Sequence, residues 1–186
     1  ASGSWSNNGS TIQQTDENVN NSNVYTALNQ NLSDKYLYQF SAKVDGTGVN
    51  RRFGFHYFCD SASLSNRGNS YFVWFRVEYK TLEFFKVSNN NFTSAQKIIP
   101  NIITTPGKWY DFKIIFDKTN GKTDVFRNDT LLGSWTDTSP LTNGKYISFR
   151  SGNSKLTVDE INVYRSRSNT SNISVGSALT NDIRYE

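Results

Sequence analysis

The sequence predicts a single all-β domain, built as a two-sheet antiparallel β-sandwich. Three observations lead to this class. Apolar and polar residues alternate with a period of two over many short segments, which is the pattern of half-buried strands. Turn-forming residues recur roughly every eight to twelve residues, as they do in sandwiches. Aromatic residues make up 15% of the chain and methionine is absent, a composition that favours pleated, half-buried surfaces.

Length and charge narrow the possible classes of function. A chain of 186 residues suits one domain with a sizeable core. Lys and Arg outnumber Asp and Glu by 20 to 16, and the net charge of +4 favours an anionic partner. The chain has no zinc-finger spacing, RNA-recognition signature or dense basic cluster, so nucleic acid is not the expected partner. It has no apolar run of membrane-spanning length, so a membrane is not expected either.

Cysteine usage and loop composition indicate a cellular location. The single Cys59 excludes a disulfide within the chain, and we expect it to be a small core residue. The loops are rich in Asn, Ser, Thr and Gly and carry little charge, which is typical of bacterial extracellular modules. We therefore expect a secreted or cell-surface protein, in which this domain is a monomeric part of a multidomain chain.

The first half of the chain alternates between strand patterns and turns. Residues 5–23 are polar and turn-rich, which predicts an edge strand with loops. Four segments with a period of two follow, and the last two predict an antiparallel hairpin because only a short link joins them. These segments are 36–44, 52–59, 71–78 and 82–87.

The second half repeats this pattern up to about residue 165. All three prolines fall in connections, where a missing backbone donor does not interrupt a sheet. We expect residues 1–165 to form the domain, and residues 166–186, which are rich in Ser and Asn, to be a last strand or a linker to a neighbouring module. The predicted strands of this half are 109–116, 123–127, 131–135, 145–150 and 156–164.

The segment from 51 to 87 carries the candidate binding residues. Aromatic rings stack against sugar faces, and guanidinium groups bind hydroxyls or anionic groups. Alternation places arginines, a histidine and a tryptophan on one face of two neighbouring strands. A buried arginine is costly unless it is paired, so we expect this face to be exposed; the alternative, that it points into the core, stays open. The predicted set is Arg51, Arg52, His56, Trp74, Arg76 and Lys86.

Three motifs resemble those of the concanavalin A-like jelly rolls. They are Gly107-Lys108-Trp109-Tyr110, the turn and strand at 121–126, and the final strand at 158–164. Residues 24–164 resemble more closely the accessory jelly rolls of secreted bacterial polysaccharide-degrading proteins, including xanthan-lyase-like ones, with the best local match at 50–56 and 67–71. The resemblance implies a jelly-roll sandwich of a kind that commonly binds glycans, although related modules bind protein or act as spacers.

The resemblance also implies a structural calcium ion. Such modules hold one with an acidic residue on the last core strand and with oxygens from the N-terminal segment. Here Asp159 takes that position, with Glu160 beside it and Asn7, Asn8 and Asp16 as further candidates. Calcium needs several hard oxygen ligands, and no EF-hand-like spacing is present, so a solvent-facing carboxylate is the alternative.

These observations predict a non-catalytic carbohydrate-binding module that targets a secreted enzyme to an acidic polysaccharide, either sulfated, pyruvylated or uronate-containing. The Glu-x-Asp-x-x-Glu pattern of hydrolases in this superfamily is absent. The first alternative is a polysaccharide lyase, in which His56 with Tyr57 or Tyr71 would transfer protons beside Arg52 or Arg76, although the Gln-x-His motif of the related lyases is missing. The second is an adhesin or spacer domain of a surface protein.

Overall fold

The structure is a computed structural model, and it describes residues 3–167. Within this range the chain forms strands and no helix, and the strands make two antiparallel sheets that pack face to face. This confirms the predicted β-sandwich. The strands are Trp5–Asn7 (β1), Ile12–Gln14 (β2), Ser22–Ala27 (β3), Lys35–Asp45 (β4), Arg52–Cys59 (β5), Ser70–Arg76 (β6), Thr81–Ser88 (β7), Asn91–Phe92 (β8), Lys97–Ile99 (β9), Trp109–Asp117 (β10), Lys122–Arg127 (β11), Thr130–Thr136 (β12), Tyr146–Gly152 (β13) and Lys155–Arg165 (β14).

In the described part of the chain, each of the two sheets contains seven strands, drawn from both halves of the sequence. The back sheet has the order β1-β2-β14-β4-β10-β11-β12, so the polar N-terminal segment forms its edge, as predicted. The front sheet has the order β3-β13-β5-β6-β7-β8, and β9 also pairs with β7. Three of these strands, β3, β8 and β9, are not predicted, because they are short or polar and lack a clear alternation.

The core lies between the sheets and is unusually aromatic. From β5 and β6 the odd-numbered side chains enter it, and the rings of Phe53 and Phe75 stack there with their centroids 4.9 Å apart. Rings from β4 and β10 meet them from the back sheet; Phe40 and Phe112, for example, are 5.5 Å apart. Burying one such side chain stabilises the fold by about 1.5–3 kcal/mol. Cys59 is also buried and free, as predicted.

Because the odd-numbered side chains of β5 and β6 fill the core, the even-numbered ones point to the outer face of the front sheet. Arg52, Trp74 and Arg76 therefore lie on this outer face, although Trp74 is largely buried there. The predicted hairpin is also present, since β6 and β7 are antiparallel neighbours with Tyr71 opposite Lys86. Residues 60–69, which join β5 to β6, lie beside this outer face.

The structure describes only the beginning of the segment 166–186, which the sequence analysis places outside the domain. Strand β14 ends at Arg165, and the Ser166 backbone N–H donates to the Lys35 carbonyl at 3.0 Å. The prediction of a last strand or linker at 166–186 otherwise lies outside the described residues. In residues 3–167 there is no helix long and apolar enough to cross a membrane.

Candidate functional site

A groove of about 410 Å³ lies on the outer face of the front sheet. Its floor is aromatic, because β6, β7 and β8 each place at least one ring on this side of the sheet. Guanidinium groups from β5 and β13 border the rings, and the loop at 60–69 contributes an amide. The lining residues are Asn21, Arg52, Asn66, Phe72, Trp74, Phe85, Phe92 and Arg150.

The loop at 60–69 is closed at its base by one carboxylate. Asp60 accepts hydrogen bonds from the backbone N–H of Asn69 at 2.9 Å and from its side-chain amide at 2.7 Å. Gly68 has a φ of +69°, and a Cβ at that position would overlap the Asp60 carboxylate, so this step of the loop requires glycine. Two residues before Gly68, Asn66 donates two hydrogen bonds to Asn90, each at 2.8 Å. These bonds hold the loop against the sheet.

Arg150 is the most enclosed cation of the groove, at 4% exposure. Its Nε donates to Asn23 Oδ1, and its Nη2 donates to Asn66 Oδ1, each at 2.9 Å; Nη2 also bonds the Ser65 carbonyl. The guanidinium lies 5.4 Å from the Phe72 ring centroid and 5.2 Å from that of Phe92. Burial, followed by the positive charges of neighbouring arginines, lowers the pKa of Arg150 to about 10.

Arg52 and Arg76 face each other directly across β5 and β6. The Nε of each is buried and has no hydrogen-bond partner. Arg52 donates through Nη2 to Asn20 and lies 5.9 Å from the Trp74 ring. Burial and the charge of Arg76 lower the pKa of Arg52. Like charges placed directly opposite each other destabilise a sheet, so this pair needs a compensating partner.

Carboxylates on this face are too few to supply that partner. Glu83 is the one carboxylate on the strands of the outer face within residues 3–167, and it lies 3.7 Å from Arg76 Nη1. Among the described residues, Arg52, Arg67 and Arg150 form no ion pair. The groove therefore has an excess of positive charge, part of which is shielded from water.

His56 lies beneath the groove and does not reach it. The side chain is 0% exposed, its ring stacks on Phe72 at 3.9 Å, and Nδ1 is 3.2 Å from the Ser70 hydroxyl. The other nitrogen, Nε2, is buried without a partner. Burial, followed by the charges of Arg150 and Arg67, moves the pKa of His56 well below its ordinary value of 6.5. The expectation that His56 is exposed is therefore wrong, and the residue is a neutral support of the floor.

The other predicted site residues have different positions. Trp74 lines the groove but is only 7% exposed, because neighbouring rings and Arg52 cover it. Arg51 lies before β5 and pairs with Glu78 at 2.7 Å, away from the groove. Lys86 points to the opposite side of the sheet from Trp74 and pairs with Asp137 at 2.7 Å. The structure thus brings Arg52, Trp74 and Arg76 together but places Arg51 and Lys86 elsewhere.

The set of residues suggested for a lyase is not assembled. His56 lies on the outer side of the front sheet, whereas Tyr57 and Tyr71 lie on the core side. The Tyr57 hydroxyl is 2.6 Å from Thr123 Oγ1, and the Tyr71 hydroxyl donates to Asp137 at 2.7 Å. Burial raises the pKa of both phenols. A substrate in the groove cannot contact these tyrosines, because the sheet separates them from it.

Asp159 lies next to a bulge in β14, where the pairing with β4 shifts between Asp159 and Asn162. Its carboxylate accepts the Glu160 backbone N–H at 2.7 Å. No group of three or more His, Cys, Asp or Glu side chains between residues 3 and 167 is arranged to hold a metal. Calcium also binds backbone and amide oxygens, so the calcium ion at Asp159 stays a prediction.

Several residues that line the groove are not identified by the sequence analysis. Arg150 has a detectable signal, since Ile147 and Phe149 beside it are core residues and an arginine on the intervening face needs an explanation. Asn66 and Phe92 have none, because their positions depend on how the loop at 60–69 and the short β8 fold back onto the sheet.

Comparisons with known proteins identify the fold. No protein-family model matches the chain, and no curated protein matches it in sequence. The structure is similar to the carbohydrate binding module CBM66 from Bacillus subtilis, with a TM-score of 0.70, 12% identity and coverage of 87% of this chain and 91% of that one. It is also similar to the Caenorhabditis elegans galectin LEC-6, with a TM-score of 0.59, 14% identity and coverage of 78% and 96%.

A third similar structure is a sialidase, with a TM-score of 0.56 and 11% identity. The match covers 84% of this chain but only 15% of the sialidase chain, so the fold occurs there as part of a much larger protein. At these identities the similarities establish the jelly-roll sandwich fold and nothing finer. The predicted xanthan-lyase-like subgroup stays a prediction.

Proposed function

We propose that this chain is a carbohydrate-binding module whose groove binds an acidic polysaccharide, and that it directs a secreted enzyme to that polysaccharide. One observation carries the proposal. Arg52 and Arg76 lie in direct register beside an aromatic groove, and the Nε of each has no protein partner. This arrangement costs stability in the free protein and offers planar donors to an anion.

The shape and chemistry of the groove suit a sugar ring. The partly exposed Phe85 and Phe92 provide apolar surface for the C–H face of a pyranose above the buried Phe72, while Asn66 and the guanidinium groups provide hydrogen bonds for its hydroxyls. A sugar needs both kinds of contact, because each ring has apolar faces and a polar rim.

The charge balance favours an acidic sugar over a neutral one. A carboxylate or sulfate near Arg52 and Arg76 would form charge-assisted hydrogen bonds and reduce the repulsion between them. The same anion would lie close to Arg150, whose pKa is lowered by burial and by its positive neighbours. A neutral sugar would gain the stacking contacts without relieving this repulsion.

The structural similarities support the class of function without fixing it. CBM66 is by its name a carbohydrate binding module, and the sialidase match shows this type of sandwich as a minor part of an enzyme chain. Folds of this kind serve several purposes, so the site itself has to carry the argument.

Affinity gel electrophoresis tests the proposal directly. The protein is run through gels that contain polygalacturonate, alginate, carrageenan or xanthan, and through gels that contain neutral dextran or galactomannan. We expect retardation in at least one acidic gel and weaker or no retardation in the neutral ones. The variant Arg52→Ala/Arg76→Ala should lose this retardation, because the two anion donors are removed.

A matched variant controls for net charge. Lys43→Ala/Lys113→Ala removes two positive charges from the outer face of the back sheet and should keep the retardation. Equal loss in both double variants would show non-specific charge attraction, and retention by no gel would favour a spacer domain. Either result would overturn the proposed function.

A further inference from the structure

A second cleft adjoins the groove on the side of β3. This side cleft has a volume of about 530 Å³ and a mostly polar lining of amides, hydroxyls and two guanidinium groups. It lies between the edge strand β3 and the loop at 60–69. Its lining residues are Asn21, Asn23, Tyr25, Ala62, Ser63, Ser65, Asn66, Arg67 and Arg150.

The groove and the side cleft share three lining residues, namely Asn21, Asn66 and Arg150. The buried guanidinium of Arg150 holds this junction together, because it bonds Asn23 in the side cleft and Asn66 on the shared border. The two spaces therefore lie side by side, and they differ in chemistry: the groove has the aromatic floor, and the side cleft has the amides and hydroxyls.

Tyr25 gives the side cleft a stacking surface of its own. The side chain is 46% exposed although it belongs to a strand. Its ring packs perpendicular to that of Tyr146, with centroids 6.0 Å apart, and lies 5.2 Å from the Arg67 guanidinium. Arg67 itself is buried, and its Nε donates to the Ser148 hydroxyl at 3.1 Å. A ring held in place from two sides loses little entropy on binding, which makes it a suitable platform for a sugar.

The geometry points to one binding site for an oligosaccharide of at least two sugar units. The groove binds the acidic unit beside Arg52 and Arg76, and the side cleft binds the next unit against Tyr25. This inference rests on the proposed function and extends it, because it specifies a segment of chain as the ligand in place of a single sugar.

The test uses fragments of one to four units, prepared from the acidic polysaccharide that retards the protein most in the gels, and isothermal titration calorimetry. Affinity should rise roughly tenfold from one unit to two, since a second stacking contact is added. Tyr25→Ala should remove most of this rise, and Tyr25→Phe should keep it because the ring remains. Tyr164→Ala is the matched control, since Tyr164 is comparably exposed but lies on the back sheet.

A second variant guards against an indirect effect of Tyr25. Ser63 lies on the exposed loop side of the same cleft, and Ser63→Trp should block the second unit while leaving Tyr25 in place. No rise with length, or a rise that survives both Tyr25→Ala and Ser63→Trp, overturns the two-unit site and leaves the proposed function intact. Retention by no polysaccharide gel overturns both.

Discussion

The outer faces of the two sheets are both formed by alternate residues of their strands, yet they differ in whether their charged side chains are paired. On the back sheet, Lys113 pairs with Asp129 at 2.5 Å, and the Ser41 hydroxyl donates to Asp111 at 2.7 Å. On the front sheet, Arg52 and Arg150 have no ion pair among the described residues. The first face is an ordinary solvated surface, and the second holds guanidinium groups without ion pairs, on which the proposed binding of an anion depends.

The difference shows which property distinguishes a site from a surface. Both faces carry aromatic residues and cations, and Lys43 lies 5.5 Å from the Trp109 ring on the back sheet much as Arg52 lies near Trp74 on the front. What separates them is burial together with the scarcity of carboxylates on the front face, where Glu83 is the one carboxylate on the described strands. Matched substitutions on the two faces should therefore have unequal effects on stability and binding.

Removing the buried cation of the front face should reduce the stability of the protein more than any other substitution proposed here. Arg150→Met leaves acceptors on Asn23, Ser65 and Asn66 without their donor, and we expect the free energy of unfolding to fall by about 3 kcal/mol. On the back face, Lys113→Met removes a surface ion pair and should change it by less than about 0.5 kcal/mol. Urea denaturation measures both. Similar losses for the two variants would contradict the distinction between the faces.

Acid should destabilise the front face through His56, the only histidine of the chain. Its pKa in the folded protein lies well below 6.5, so the unfolded chain takes up the proton first as the pH falls. Above about pH 6.5 both states are neutral and the stability does not depend on this group. Below it the free energy of unfolding should fall by about 1.4 kcal/mol per pH unit, until the pH reaches the folded pKa.

The variant His56→Asn isolates this effect. An amide can keep the contact with Ser70 but takes up no proton, so the slope between about pH 6.5 and 5.5 should disappear, since ordinary carboxylates are still ionised there. Urea midpoints across this pH range provide the measurement. An unchanged slope in the variant would mean that His56 is not the group responsible.

Exchanging the tryptophan of each face should affect binding unequally. Trp74→Leu removes the ring beside Arg52 and should weaken binding of the retained polysaccharide about fivefold, equivalent to about 1 kcal/mol. Trp109→Leu removes a more exposed ring on the back sheet and should leave the affinity unchanged. Calorimetry on both variants, with thermal melting to verify folding, decides the point. A greater loss of affinity for Trp109→Leu would mean that the binding site lies on the back sheet, which contradicts the proposed site.

An increase in salt concentration should have the smallest effect on the affinity for the retained polysaccharide. Raising NaCl from about 0.05 M to about 0.5 M shortens the screening length, but the guanidinium groups of the groove are partly shielded from solvent, so we expect only a roughly threefold loss of affinity. Calorimetry at both salt concentrations measures it. A loss of a hundredfold or more would indicate diffuse attraction by exposed lysines, and the two faces would then not differ in kind.

The four longer strands of the front sheet, β5, β6, β7 and β13, follow from the sequence, because a period of two fixes which residues share a face. The outward orientation of Arg52, Trp74 and Arg76 follows from the cost of burying an unpaired arginine. The error on Lys86 has a simple cause. Tyr71 pairs with Lys86, so odd-numbered residues of β6 lie opposite even-numbered residues of β7, and Lys86 shares a side with Tyr71 and not with Trp74. Odd or even numbering shows which side a residue takes within one strand, but the register must be known before it can be applied to the next strand of a hairpin.

The burial of His56 and the presence of the side cleft could not be predicted in this way. Both depend on the loop at 60–69, whose path is set by Arg67 and Asn66 bonding residues far away in sequence, Ser148 and Asn90. Such contacts leave no periodic pattern. The calcium expectation at Asp159 likewise depends on where distant oxygens lie in space, which spacing along the chain does not reveal.

The loop at 60–69 combines a fixed part with a variable part. Its ends are closed by the Asp60 backbone N–H, which donates to the Asn69 carbonyl at 3.1 Å, and its second half is tied to the sheet by Asn66 and Arg67. The side chains at 61–64 take no part in those ties to the sheet, so they can change while the tied residues stay. For protein engineering, residues 61–64 are therefore the place for a library of altered specificity.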